Sequence, residues 1–147
     1  MTSNVHKGSS TAAAVVFDLL NPIPFGFFTA ALIFDAVYTD TAVILWIKAA
    51  SWLIAIGLLF AIVPRLINLV WVWFTGPRHS TAREKAAFFF YLFGIIAAIF
   101  NAFVHGRDAY ATIPLGLWLS ILTVGLLVIS YVLLTLQHST DVIRGQA

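Results

Sequence analysis

The chain has 147 residues, 61% of them apolar and 10% charged, with a net charge of +2, and its mean hydropathy is +0.98. Globular domains carry roughly 25% charged residues, so this composition excludes the soluble classes and describes one membrane-embedded domain. The basic residues form no stripe or nucleic-acid motif, and the absence of cysteine excludes disulfides, thiolate metal sites, iron–sulfur clusters and covalent c-type haem.

Residues 1–11 are a polar tail in which Lys7 is the one charge. The apolar run that follows resembles a signal peptide only superficially: it is short, Asp18 interrupts it, and no small-x-small cleavage site precedes Pro22, so it is expected to stay attached. The first span then takes one of two forms, a single kinked helix over 13–38 or a surface segment followed by a span from Pro22. Pro22 and Pro24 have no N–H to offer the carbonyls of Asp18 and Leu20, which predicts a kink or restart there. Residues 23–38 alone make about 24 Å of helix against a hydrocarbon core of ~30 Å. The single span kinked at Pro22/Pro24 is therefore the expectation.

A turn is expected at Thr39-Asp40-Thr41, then a second span over 42–63 that Pro64-Arg65 ends. Residues 66–74 either continue that helix or lie along the interface, where Trp71 and Trp73 suit headgroup level. After the polar loop 75–81, Thr81 and Glu84 form a capping-box pattern for a third span over 82–104. The loop 105–112 leads to Pro114 in the first turn of a fourth span, with Thr112 as its cap, ending near Gln137 before a polar tail at 138–147. The fold class is thus all-α: four transmembrane helices in two antiparallel hairpins over 12–137. Lys7, Arg65, Arg78, Arg83, Lys85 and Arg144 fall on the side of the termini, and Lys48 and Arg107 on the other, so both termini are expected in the cytoplasm.

Two charged residues below the headgroups stand out. Asp35 ends one apolar segment and Lys48 begins the next, their backbones differing in depth by about 5 Å around a turn centred on Asp40. Lysine's long stem can close that gap, which predicts an Asp35–Lys48 ion pair pinning the first two helices; separate snorkelling of each side chain to the interface is the alternative. Small residues at four-residue spacing supply the close helix contacts that apolar burial cannot supply in lipid. They are Gly26 and Ala30, Ser51 and Ala55, Gly57 and Ala61, Gly116 and Ser120, and the longest row, Gly94, Ala98 and Ala102.

Chemistry is sparsely signalled. His79 and His138 share one side of the membrane with His6, and a haem or metal between the first two is geometrically open, although each also reads as an ordinary interfacial residue. Phe88-Phe89-Phe90-Tyr91 with Phe93 forms an aromatic collar that either lines a quinone or lipid groove, with Tyr91 as the contact, or is belt and packing. His105, Arg107, Asp108 and Tyr110 read as a solvated loop on the opposite face. A proton-coupled transporter would want an unpaired carboxylate near mid-membrane, and Asp18 and Asp35 both lie toward the ends. No nucleophile-elbow pattern marks a hydrolase.

The chain resembles a group of bacterial four-helix inner-membrane proteins catalogued as a domain of unknown function. The resemblance rests on Pro24-Phe25-Gly26-Phe27-Phe28 with Phe34-Asp35, on Gly57 before the Pro64 to Asn68 exit, and on Asn101 followed by Arg107-Asp108. It covers about 13–136. The family's histidine–proline pairs, the acidic residue after its second helix, its third-helix histidine and its paired glycines are here Val15 to Pro22 without histidine, Asn68, Phe88 to Phe90, and Leu133-Leu134. The resemblance implies a place beside a respiratory or photosynthetic complex, without the family's histidine ligands. The expectation is a non-catalytic protein of the bacterial inner membrane, an accessory or assembly subunit of a larger electron-transfer complex. Its partners would be lipid and other membrane subunits or further copies of itself, with no nucleic acid and no resident cofactor. The alternatives are a quinone- or b-haem-binding electron-transfer subunit and a small-molecule transporter.

Overall fold

The computed structural model describes residues 22–75 and 82–145, excepting the side chains of 63–75, 84, 138 and 140–145. Among the described residues there are five helices: α1 (Ile23–Thr41), α2 (Ile44–Thr75), α3 (Ala82–His105), the single turn α4 (Ala109–Thr112) and α5 (Leu115–Gly145). No strand occurs among the described residues. Four helices are long and apolar enough to cross a membrane, over Ile23–Thr41, Ile44–Ile62, Lys85–His105 and Leu115–Gln137. The protein is an all-α, multi-pass membrane protein.

α1 begins at Ile23 with Pro22 as its N-cap and Pro24 inside its first turn, where a missing N–H costs no helical bond. Its 19 residues give about 28 Å, close to the core thickness without help from the preceding segment. The expected kink involves residues outside those described. At its far end α1 runs through Thr39-Asp40-Thr41 instead of turning there. The hydroxyls of Thr39 and Thr41 donate to the carbonyls of Asp35 and Val37 one turn back, which gives both hydroxyls a partner within the helix. The turn falls at Ala42, in the left-handed region at φ 53°, with its N–H on Tyr38 O at 2.8 Å.

α2 does not stop at Pro64. Its backbone stays helical to Thr75, so the proline removes one donor from the ladder without ending the helix. Nor does α5 end at Gln137: it extends to Gly145. The Ile113–Pro114 bond is cis, and Pro114 stands just before α5 and accepts from Trp118 N.

α1 packs chiefly on α2 and α3 on α5, the two antiparallel hairpins, and α1–α5 and α2–α3 contacts join them into a bundle. The main core gathers Phe28, Ala31, Ala50, Ile54, Ala61, Tyr91, Ile95, Ala98 and Leu127. α3 is the most enclosed span, 44% buried against 28%, 28% and 22% for the others. Its Gly94 lets Leu127 of α5 approach so closely that a Cβ there would meet the leucine Cδ2 at 3.2 Å, and Ala98 is buried beside it. Gly57 does the same for Phe28, at 3.0 Å, with Ala61 buried a turn away. Gly26 is different: it faces outward with nothing within 4 Å of a Cβ, and Ala30 beyond it is only half-buried. The packing face of α1 is the row Pro24, Phe28, Ala31, Asp35 and Tyr38. Ala55 is exposed, and Ser51 and Ala102 are half-buried.

Candidate functional site: a buried carboxylate and imidazole

Asp35 and Lys48 do not pair. Because the turn lies at Ala42 rather than Asp40, Asp35 sits about 10 Å inside the helix end and faces the bundle, whereas Lys48 is exposed near the start of α2. Both carboxylate oxygens of Asp35, itself wholly buried, are taken by the other hairpin. Oδ1 lies 2.8 Å from Nε2 of His105 at the end of α3. Oδ2 accepts from the hydroxyl of Ser120 on α5 at 2.5 Å, and Nδ2 of Asn101 donates to that same Ser120 oxygen at 2.7 Å. Nδ1 of His105 is 3.0 Å from the backbone carbonyl of Asn101, four residues back on the same helix face.

Small residues make this convergence possible. Gly116 brings the α5 backbone over the imidazole so closely that a Cβ would stand 2.9 Å from Cε1 of His105 and 2.8 Å from Cγ2 of Thr112. Thr112 is buried on the same side of Gly116 as the ring. It does not cap α5; its hydroxyl turns back to the carbonyls of Asp108 at 3.1 Å and Val104 at 3.4 Å. Two polar atoms of this region have no partner, Oδ1 of Asn101 and Oγ1 of Thr123.

The donors and acceptors fix the proton inventory. A carbonyl oxygen only accepts, so Nδ1 of His105 carries a hydrogen. The contact between Nε2 and Oδ1 then needs one further hydrogen, seated either on the imidazole, giving imidazolium and carboxylate, or on Asp35, giving a neutral acid and a neutral imidazole. Both placements are net neutral, which matters because an uncompensated charge inside a membrane bundle costs several kcal/mol or ionises otherwise. The contact therefore holds one proton, which either the oxygen or the nitrogen can carry without changing the charge of the site. It is not a hydrolase triad: there the imidazole stands between serine and carboxylate, whereas here the carboxylate stands between Ser120 and His105.

The other sequence-nominated residues lie elsewhere. Tyr91 is buried in the main core, not on a groove, and Phe88, Phe89 and Phe93 of the collar face outward. His79 and the side chain of His138 lie outside those described. Arg107, Asp108 and Tyr110 are exposed as a solvated loop should be, but His105 does not belong with them. The signal that separates it is the spacing Asn101–His105 in α3 facing Gly116–Ser120 in α5, a polar pair and a small-residue pair, each at i, i+4.

Neither a protein-family model, nor a curated protein, nor a solved structure matches the chain.

Proposed function

We propose that the protein binds and releases a proton at the Asp35–His105 pair, as the coupling element of a small proton-linked membrane transporter. The observation that carries this is the bracketing of His105 between a backbone carbonyl and a carboxylate, which leaves one mobile proton inside a membrane-spanning bundle. Intramembrane ionisable residues that face one another mark proton relays and ion paths. The distribution of basic residues supports cytoplasmic termini in a bacterial inner membrane, which sets the pair near the opposite face, beneath the exposed loop Gly106 to Asp108. Toward the cytoplasmic side lies Leu127, fully buried against Gly94, and the side chains of the pair are themselves buried.

The test is infrared difference spectroscopy on the protein in proteoliposomes while the external pH is stepped, alongside proton flux under an imposed gradient. A carboxyl C=O band that changes with pH and disappears in Asp35→Asn, together with loss of flux, is the expected result. A band and a His105 ring signal that stay constant wherever the protein remains folded would reduce the pair to a structural clamp.

A second reading, the accessory subunit docked on a larger electron-transfer complex or on a second copy, is favoured by one surface. Phe89, Phe93, Ile96, Phe100 and Phe103 are exposed on α3 at alternating four- and three-residue steps, the spacing of a helix-pairing stripe. The chain has no cysteine, so Phe93→Cys and Phe100→Cys provide clean cross-linking probes. Cross-links to a distinct protein in native membranes would favour this reading, and lipid alone against the stripe would remove it.

A further inference from the structure

Asn101 and Thr123 are 2% and 1% exposed, yet Oδ1 of the first and Oγ1 of the second meet no hydrogen-bond partner. Buried polar atoms in folded proteins are almost always satisfied, by protein or by ordered water. Their positions explain why these two belong together. The α3–α5 contacts His105 with Gly116, Asn101 with Ser120 and Gly94 with Leu127 share one antiparallel register, and that register sets Thr123 level with Ala98. On the α1 side, the contacts of Asp35 with Ser120 and Phe25 with Tyr131 set Leu32 at about that level, with the buried Ala31 next to it.

Side chains on a helix lean toward its N-terminus. Asn101 therefore leans inward, toward the level of Ala98, and Thr123, on the antiparallel helix, leans outward, toward the level of Ser120. The two orphan atoms thus lean toward the same layer, near which Ala31 of α1 and Ala98 of α3 are buried. From these observations we infer that Asn101 and Thr123 form a binding site for one small neutral hydrogen-bonding molecule, water, enclosed by Ala31 and Ala98. Water donates to Oδ1 of Asn101, which only accepts, and exchanges a hydrogen bond with Oγ1 of Thr123, which does both. A bound water at this layer carries the chain His105, Asp35, Ser120, Asn101 one helical turn deeper, toward the buried Leu127. The site stands on its own geometry and does not require that the pair exchange its proton.

The experiment is solid-state NMR of the full chain in lipid bilayers, reading magnetisation transfer from water to the side chains of Thr123 and Asn101. Transfer to both in the wild type, lost in Ala98→Val, whose added methyl groups fill the layer, is the expected result; no transfer to Thr123 in the wild type overturns the inference. Melting of Thr123→Val gives an independent sign. With water present the substitution strands Oδ1 of Asn101 and the melting temperature falls, whereas in a dry layer exchanging an unpartnered hydroxyl for a methyl leaves it equal or higher, which counts against the site. A wild-type melting temperature that rises with sodium but not with choline at equal ionic strength would assign the layer to a cation and overturn the assignment to water.

Discussion

Asp35 and His105, 70 residues apart in the chain, meet at 2.8 Å and join one helical hairpin to the other. The proton inventory of that contact separates two substitutions that a simple ion-pair picture would treat alike. In Asp35→Asn the side-chain carbonyl still accepts from Ser120, and the amide donates to Nε2 of a neutral His105, so every bond is kept and only the mobile proton is lost. Its stability is expected within about 1 kcal/mol of wild type. Asp35→Leu strands the imidazole nitrogen and the Ser120 hydroxyl in the bundle, at about 1–3 kcal/mol for each unsatisfied group. Thermal melting in detergent distinguishes the two, and makes Asp35→Asn the variant with which to test proton flux.

Gly116→Ala tests how tightly the imidazole is seated. The new Cβ would lie 2.8 Å from Thr112 Cγ2 and 2.9 Å from His105 Cε1, too close for either to stay in place. Overpacking of this kind costs about 1–3 kcal/mol. Because the ring must yield, the His105 nitrogen resonances should shift as well. Lower stability with an unmoved His105 signal would locate the strain in Thr112 instead.

Lys48→Met probes the pair that does not form. Lys48 is exposed and Asp35 is fully engaged by α3 and α5, so the substitution removes no buried contact. Stability within about 0.5 kcal/mol of wild type is expected, as for surface changes in general. A loss of several kcal/mol would return Lys48 to the helix interface.

The four spans and their pairing were legible because apolar length and short loops leave few other arrangements. Asp35 was legible too, as an acid below the headgroups. Its partner was not, since local sequence placed His105 at the edge of a polar loop, and only the register of α3 against α5 turns it inward. The first turn was misread for a definable reason: Thr39-Asp40-Thr41 is polar enough for a loop, but both threonine hydroxyls bond back to the helix. That shift of the turn to Ala42 is what separates Asp35 from Lys48. Small-residue spacing picks out Gly57, Gly94 and Gly116, where an added Cβ would meet a neighbouring element, and equally Gly26, where it would meet nothing, because spacing alone does not say which face of α1 meets a neighbour.

Ala42→Gly follows from that same turn. Ala42 adopts φ 53°, a conformation that costs a residue with a Cβ roughly 1–2 kcal/mol and costs glycine nothing. Glycine is looser in the unfolded chain, which offsets part of the gain by about 0.4–1 kcal/mol. The net expectation is a modest rise in melting temperature.

Gly26→Ala and Gly57→Ala give opposite signs from the same chemical change. Both glycines lie inside helices, where alanine is favoured by about 1 kcal/mol. At Gly26 nothing stands within 4 Å of the added methyl, so the propensity gain is realised and the protein melts higher. At Gly57 the methyl would meet Phe28 Cε1 at 3.0 Å and Phe27 Cβ at 3.1 Å. The Phe28 ring is buried in the core and has nowhere to retreat, and Phe27 Cβ is fixed to the α1 backbone, so the hairpin must open by a few tenths of an ångström. A net loss of about 1–2 kcal/mol is expected, overpacking exceeding propensity. Melting the two variants side by side checks the orientation of α1 directly, since a reversed order would mean that the Gly26 face, not the Asp35 face, packs against the bundle.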